Sequence, residues 1–288
     1  MSDTIPITRP QSQHTDKSPV PHESYSEIPS QFIEKITYPT ETIELQSNGW
    51  FYPEDHPLAS GKIELKMMTA KEEDILTSQN LIKKGIVLQS LLSSLIVDKR
   101  IKQDDILMCD INGVYMAIRR MAYGDQYGPL KIKCPNCGQN AEHTIDLGLI
   151  SSKEFSFEKY PRGQNLFTFV LPYSKKTITY KILTQKDDDL VETELKAMNK
   201  TARDKDRTSE VTTRLKYVIK SIDGETSMDH IRKFVETQLV AKDALALRTY
   251  IKENIPALDM SYQFECSNCS HSEKMEVPMT VQFFWPSS

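Results

Sequence analysis

The chain has 288 residues, 36 Lys and Arg against 40 Asp and Glu, a formal charge of −4 and 39% hydrophobic residues. That length can build one large domain or two modest ones around a real core, and the slightly acidic balance offers no general attraction to nucleic acid. The N-terminus carries no basic and apolar leader, and the longest apolar run, Ile86 to Val97, is broken by Gln89, Ser90, Ser93 and Ser94, so neither secretion nor membrane spanning is expected.

Residues 1–40 are rich in Pro, Ser, Thr and Gln with few aliphatic residues, which predicts an extended or disordered N-terminal arm. From Glu41 the pattern changes. Ile43, Leu45, Trp50 and Phe51, then Ile63, Leu65 and Met67, read as two strands around the turn-rich Pro53 to Gly61. Thr69-Ala-Lys-Glu72 is a capping box that opens a first helix. Leu81, Leu88, Leu92 and Leu95 predict a second helix, and Leu107, Ile111, Val114, Ile118 and Met121 a third. After Tyr123-Gly124 a hairpin is expected over Leu130 to Leu147.

The same order of elements returns after residue 165. Lys62-Ile-Glu-Leu-Lys-Met-Met-Thr69-Ala-Lys-Glu-Glu-Asp74 is answered by Thr177-Ile-Thr-Tyr-Lys-Ile-Leu-Thr184-Gln-Lys-Asp-Asp-Asp189, each a strand running into a capped, acidic first helical turn. Val240, Ala244, Leu247 and Ile251 repeat the spacing of the third helix. The second copy is longer, and the excess falls in polar stretches such as Asn199 to Ser209. The expected fold is therefore α+β and internally duplicated, with residues 41–150 as the first copy and 151–288 as the second, the latter ending in an aromatic C-terminus, and the two copies joined at a shared zinc-ribbon-like site.

Each copy ends in a Cys-x-x-Cys hairpin, Cys134-Pro-Asn-Cys137-Gly138 and Cys266-Ser-Asn-Cys269-Ser270. A zinc-ribbon site presents each pair of sulfurs on a tight turn, and Cys134, Cys137, Cys266 and Cys269 are read as four ligands to one structural zinc ion. A closed four-sulfur shell leaves no position for substrate, so the site is architectural. His143 and His271, just beyond their turns, are alternative ligands in a shell of three cysteines and one histidine. Paired cysteines plus a lone Cys109 fit a reducing compartment better than a disulfide framework, and Cys109 on an apolar helix reads as a small core residue.

Catalytic chemistry is poorly supported. His14, His22, His56 and His230 have no acid or nucleophile arrangement around them, and neither glycine-rich phosphate loop is present. Glu72-Glu73-Asp74 and Asp187-Asp188-Asp189 are explained by the helix dipole rather than by a metal. Arg119-Arg120 and the mixed stretch from Lys200 to Lys220 are the basic clusters, which read as salt-bridged helix surface rather than a nucleic-acid face. Trp50 and Phe51 near the start and Phe283, Phe284 and Trp285 at the end suggest docking of a partner, with a tail tucked onto its own body as the alternative.

Gly49-Trp-Phe-Tyr-Pro53, Pro57-Leu-Ala-Ser-Gly61, Met68-Thr-Ala-Lys-Glu-Glu-Asp-Ile-Leu-Thr77, Leu81-Ile-Lys-Lys-Gly85, Ala117-Ile-Arg119 with Tyr123-Gly124, Ser221-Ile-Asp-Gly224, Leu247-Arg-Thr-Tyr-Ile251, both cysteine turns and Phe283-Phe-Trp-Pro286 occur in this order. Together they resemble the baseplate hub and baseplate assembly protein family of T-even-like contractile-tailed bacteriophages, from about residue 45 to the end. Ser270 departs from the pattern, standing where Gly is usual. The resemblance implies a non-enzymatic structural or assembly component of the tail baseplate, in the hub region of the virion and assembled in the host cytoplasm. Its partners would be other tail and baseplate hub proteins, in several copies per assembly, with neither nucleic acid nor membrane. A zinc-ribbon nucleic-acid-binding protein is the second reading, and a thiol-disulfide oxidoreductase the third.

Overall fold

The computed structural model describes residues 38–201 and 209–284. The expected arm therefore lies, up to Thr37, outside the described residues, as does Trp285. The chain opens with β1 (Thr40–Glu44) paired antiparallel to β2 (Lys62–Lys66), which buries Ile63 and Leu65 on one face by strand alternation. Trp50 and Phe51, expected on the first strand, lie in the connection instead. Asn48 and Gly49 take left-handed backbone angles of 48° and 70°, which end the extended run. A side chain at Gly49 would meet the Gly61 nitrogen at 2.5 Å, so this turn requires glycine.

The capping box opens α1 (Ala70–Thr77) as expected, but the second helix is divided. Gly85 at φ 72° closes α2 (Gln79–Lys84) by donating its N–H to Ile82, and α3 (Val87–Leu95) begins anew and buries Leu91, Leu92 and Leu95. The residues after α3 return to the sheet, where the Val97 N–H donates to Glu64 on the far side of β2. Helix α4 (Met108–Tyr123) follows, then the hairpin of β3 (Gln126–Lys133) and β4 (Asn140–Asp146).

A comparable series comes next. Strands β5 (Phe167–Val170), β6 (Thr177–Tyr180) and β7 (Ile219–Ile222) form a three-stranded antiparallel sheet in that spatial order. Helices α5 (Gln185–Thr201) and α6 (Glu210–Val218) lie between β6 and β7 in the chain. Helices α7 (Met228–Thr237) and α8 (Ala241–Glu253) then lead to the hairpin of β8 (Ser261–Glu265) and β9 (Ser272–Glu276). Helix and sheet are mixed without βαβ alternation, an α+β arrangement.

Two side-chain motifs occur in both series. Glu72, third residue of α1, accepts from the Thr69 N–H at 3.0 Å and hydroxyl at 2.6 Å, and from Lys66 Nζ at 2.8 Å. Asp187, third residue of α5, accepts from the Thr184 N–H and hydroxyl at 3.0 Å and from Lys181 Nζ at 2.6 Å. The third residues of α4 and α8 are also buried carboxylates, and each grips the turn that follows the first strand of its series. Asp110 accepts from the Ser47 N–H at 2.7 Å and hydroxyl at 2.8 Å, and from Tyr52 at 2.8 Å. Asp243 accepts from the N–H groups of Tyr173 at 2.8 Å and Ser174 at 3.0 Å.

One continuous apolar cluster runs through both series, from Leu45 to Phe284. The junction is also hydrogen-bonded: Met108 donates to Leu183 and Gln185 to Ile106, both at 2.8 Å. The body from Tyr38 onward is one compact unit. Its two parts are thus joined mainly by shared core, and a metal at the cysteine turns is not their sole fastening.

Candidate metal centre

The β3–β4 and β8–β9 hairpins carry the cysteine turns at their tips. In the first, the Cys134 N–H donates to Gln139 and the Gly138 N–H donates back to Cys134, both at 2.9 Å; Cys266, His271 and Ser270 make the same pair of bonds at 2.9 Å in the second. Closing such a turn needs a left-handed residue after the second cysteine. Gly138 takes it at φ 71° and Ser270 at φ 55°, so the serine adopts the glycine geometry at a steric cost.

The two tips meet. All four Sγ atoms lie within 4.8 Å of one another, and two distances that cross between the turns, Cys134 to Cys269 and Cys137 to Cys266, are each 3.8 Å. A disulfide would require about 2.05 Å. A tetrahedron of sulfurs about 2.3 Å from a central zinc has edges of about 3.8 Å, which these distances match. Cys134 and Cys266 are buried and form, with Ala141 and Phe264, a small satellite core of their own, while Cys137 and Cys269 face outward. The Asn268 side chain donates to the Asn140 carbonyl at 3.1 Å and pins one tip to the other.

The electrostatics of the four sulfurs are split. Cys137, although the Gln139 backbone lowers it, is raised to about 11 by desolvation and by hydrogen bonding to the other three sulfurs, whereas the Cys269 thiol is lowered to about 6, first by the His271 backbone N–H and next by the Asn136 amide, which approaches its sulfur at 3.7 Å. Such N–H donors stabilise a sulfur that has given up its proton, the form in which cysteine binds a metal.

Neither histidine joins the cluster. His143 stacks on Tyr262 with centroids 5.4 Å apart, and His271 points to Glu273 at 3.3 Å. Among the described residues, the four cysteines are the one group of metal-ligating side chains that converges in this way. Cys109 is buried in the main core on α4.

Of the aromatic residues expected to dock a partner, Trp285 lies outside the described residues and three of the others are buried within this chain. Phe51 is 2% exposed and Phe283 and Phe284 are 0% exposed, all inside this chain's own core. Phe51 lies 5.0 Å from Phe167, Phe283 lies 5.0 Å from Tyr127, and Phe284 meets Tyr115 edge-on. Trp50 is half-buried and donates its indole N–H to the Tyr160 carbonyl at 2.9 Å, with Arg162 over its ring.

Arg119, taken from sequence as surface charge, is what holds the C-terminal segment there. Its buried guanidinium donates to the carbonyls of Phe283, Gly124 and Gln126 at 2.9, 3.2 and 3.2 Å, and packs against Tyr123 and Tyr127. Arg120 pairs with Asp125 at 2.6 Å. The sequence carries a signal for Asp110 and Asp243: an acid stands three residues after the apolar residue that precedes each helix, Leu107 and Val240. No described helix is long and apolar enough to cross a membrane.

The family described as T4 bacteriophage base plate protein matches residues 52–285, a span that includes both cysteine turns. No curated protein and no solved structure matches the chain.

Proposed function

Because the chain belongs to the T4 bacteriophage base plate protein family, we propose that it is a non-enzymatic structural or assembly component of the baseplate hub region, acting by contact with other tail subunits. The observation that carries this reading is the length of the family match, which runs from before β2 to beyond β9 rather than over one motif. In this reading Cys134, Cys137, Cys266 and Cys269 hold one structural zinc ion, supported by sulfur spacing that fits a tetrahedral shell. Residues 41–150 and 151–288 are two copies of one unit. The paired Thr–carboxylate–Lys caps and the paired Asp clamps of α4 and α8 support that duplication. The charged clusters at Arg119-Arg120 are consumed internally, which weighs against the nucleic-acid reading. A dithiol redox pair uses the two cysteines of one turn, whereas here the sulfurs of both turns gather into one cluster within 4.8 Å of one another.

The test is proteomics of purified tails and of tails assembled without this chain. Presence at a fixed copy number with failed baseplate formation on depletion is expected of a resident subunit. Absence from finished tails with failed assembly would assign an assembly factor, and normal tails without the chain would overturn the proposal.

A further inference from the structure

Helices α6 and α8 leave an apolar groove of about 390 Å³ between them. Val211, Leu215 and Val218 line it from α6, and Arg248, Ile251 and Lys252 from α8, with Ile255 just beyond. Both sets follow the three- and four-residue spacing of a single helix face. Among the described residues the lining comes from these two helices and Ile255 alone, and Val211 is 42% exposed. The rim is basic. Arg214 is held by Asp188 at 2.6 Å, whereas Arg248 donates to the Ala244 carbonyl of its own helix at 3.3 Å, and among the described residues no carboxylate pairs with Arg248 or Lys252. Glu210 is the one acid of the lining.

The matching faces of the first series carry the C-terminal segment. Ile96, after α3, bridges to Leu65 of β2, and Ile219, after α6, pairs with Tyr180 of β6. Leu88 stands eight residues before Ile96, as Val211 does before Ile219. Tyr115 and Arg119 stand five and nine residues after Asp110, as Arg248 and Lys252 do after Asp243. At these first-series positions Phe284 meets Tyr115 with centroids 5.7 Å apart, and the Phe283 carbonyl accepts from Arg119 at 2.9 Å. Val281 borders one cleft with Leu88 and Tyr115. An aromatic segment thus lies on one pair of faces, and among the described residues nothing lies on the other.

We infer that the α6–α8 groove receives a segment of another protein that carries adjacent aromatic residues flanked by carboxylates. Its rings fill the apolar floor, one of them under Arg248 where Phe284 meets Tyr115 in the first series. Its carboxylates answer Arg248 and Lys252 at the rim. Residues 202–208, which lead into α6, contain no large apolar side chain and supply no such anchor. Phe283 and Phe284 of this chain are fully buried, which disfavours their exchange into the groove of a second copy. The aromatic character of the occupant rests on the proposed duplication and its source in a neighbouring tail subunit on the proposed function, while the groove and its charge are tested without either.

The probe is a fluorescein-labelled peptide with two adjacent Phe between Glu residues, and its controls carry Lys in place of Glu or Ala in place of Phe. By anisotropy, full-length protein is expected to bind the first peptide, with affinity falling as salt rises, and to bind either control weaker by roughly tenfold or more. Val211→Glu, at an exposed position, should weaken binding comparably with an unchanged melting temperature. Arg248→Glu combined with Lys252→Glu should reverse the preference between the Glu and Lys peptides. Absence of binding, which is also the result if residues 1–37 or 202–208 already fill the groove, overturns the inference, as does equal binding of the Ala control or by the Val211 variant. Neither result touches the baseplate assignment, which the composition of purified tails decides. A dimer in sedimentation that Val211→Glu abolishes assigns the groove to a second copy and overturns the inference as well.

Discussion

Ser270 holds a left-handed conformation that glycine adopts freely, at the same place as Gly138. The cost to an L-residue is about 1–2 kcal/mol, partly offset because a serine has less conformational freedom to lose on folding. Ser270→Gly should therefore stabilise the protein by about 0.5–1 kcal/mol, read as a raised denaturant midpoint, whereas Gly138→Ser should lower it. Glu72 is a second residue whose environment makes a prediction. Burial pushes its carboxyl up, but Lys66, Ser94 and Thr69 together lower it from 4.5 to about 2. A depressed acid stabilises the fold above its unfolded pKa and loses that contribution as the pH falls through the folded one. Glu72 thus contributes about 3 kcal/mol above pH 4.5, lost between there and pH 2. Unfolding curves across that window should lose this part of their pH dependence in Glu72→Gln. The Thr–Glu cap was legible in sequence because its spacing is local, whereas its lysine and Ser94 partners depend on how β2 and α3 fold back over it.

At the scale of elements, two carboxylates tie the start of a helix to a distant turn. Removing Asp110 leaves the Ser47 N–H, the Ser47 hydroxyl and the Tyr52 hydroxyl without their acceptor. Each buried orphan costs about 1–3 kcal/mol, so Asp110→Ala should be among the most destabilising single changes, and Asp243→Ala, which orphans two N–H groups, should follow it in a denaturant series. The C-terminal segment belongs to the same account. Phe284→Ala, in a fully buried site against Tyr115, should cost about 3–5 kcal/mol; wild-type stability would restore the idea of a free docking tail. The helical spacing of α4 and α8 could be read directly from apolar periodicity, and the hairpin positions from the cysteine turns at their tips. Gly85 dividing α2 from α3 and Asn48-Gly49 ending β1 could not, because a glycine takes its left-handed role only once the flanking elements pack.

For the whole molecule, the cysteine pattern announced which four side chains converge, since chemistry at a fixed local spacing survives the uncertainty of everything between. What it did not reveal was the main core that runs continuously from Leu45 to Phe284, because periodicity shows which face of an element is apolar and not what covers it. A metal held at the hairpin tips, beside a satellite core of Cys134, Ala141, Phe264 and Cys266, should therefore act locally. Chelation is expected to raise amide exchange in the tips of β3–β4 and β8–β9 while α4 and α8 keep their protection. Native mass spectrometry of the purified chain is the most direct test of the four-sulfur centre. One zinc per chain, absent from both Cys134→Ser and Cys266→Ser, is the predicted result; a metal-free chain with four freely alkylated thiols contradicts it.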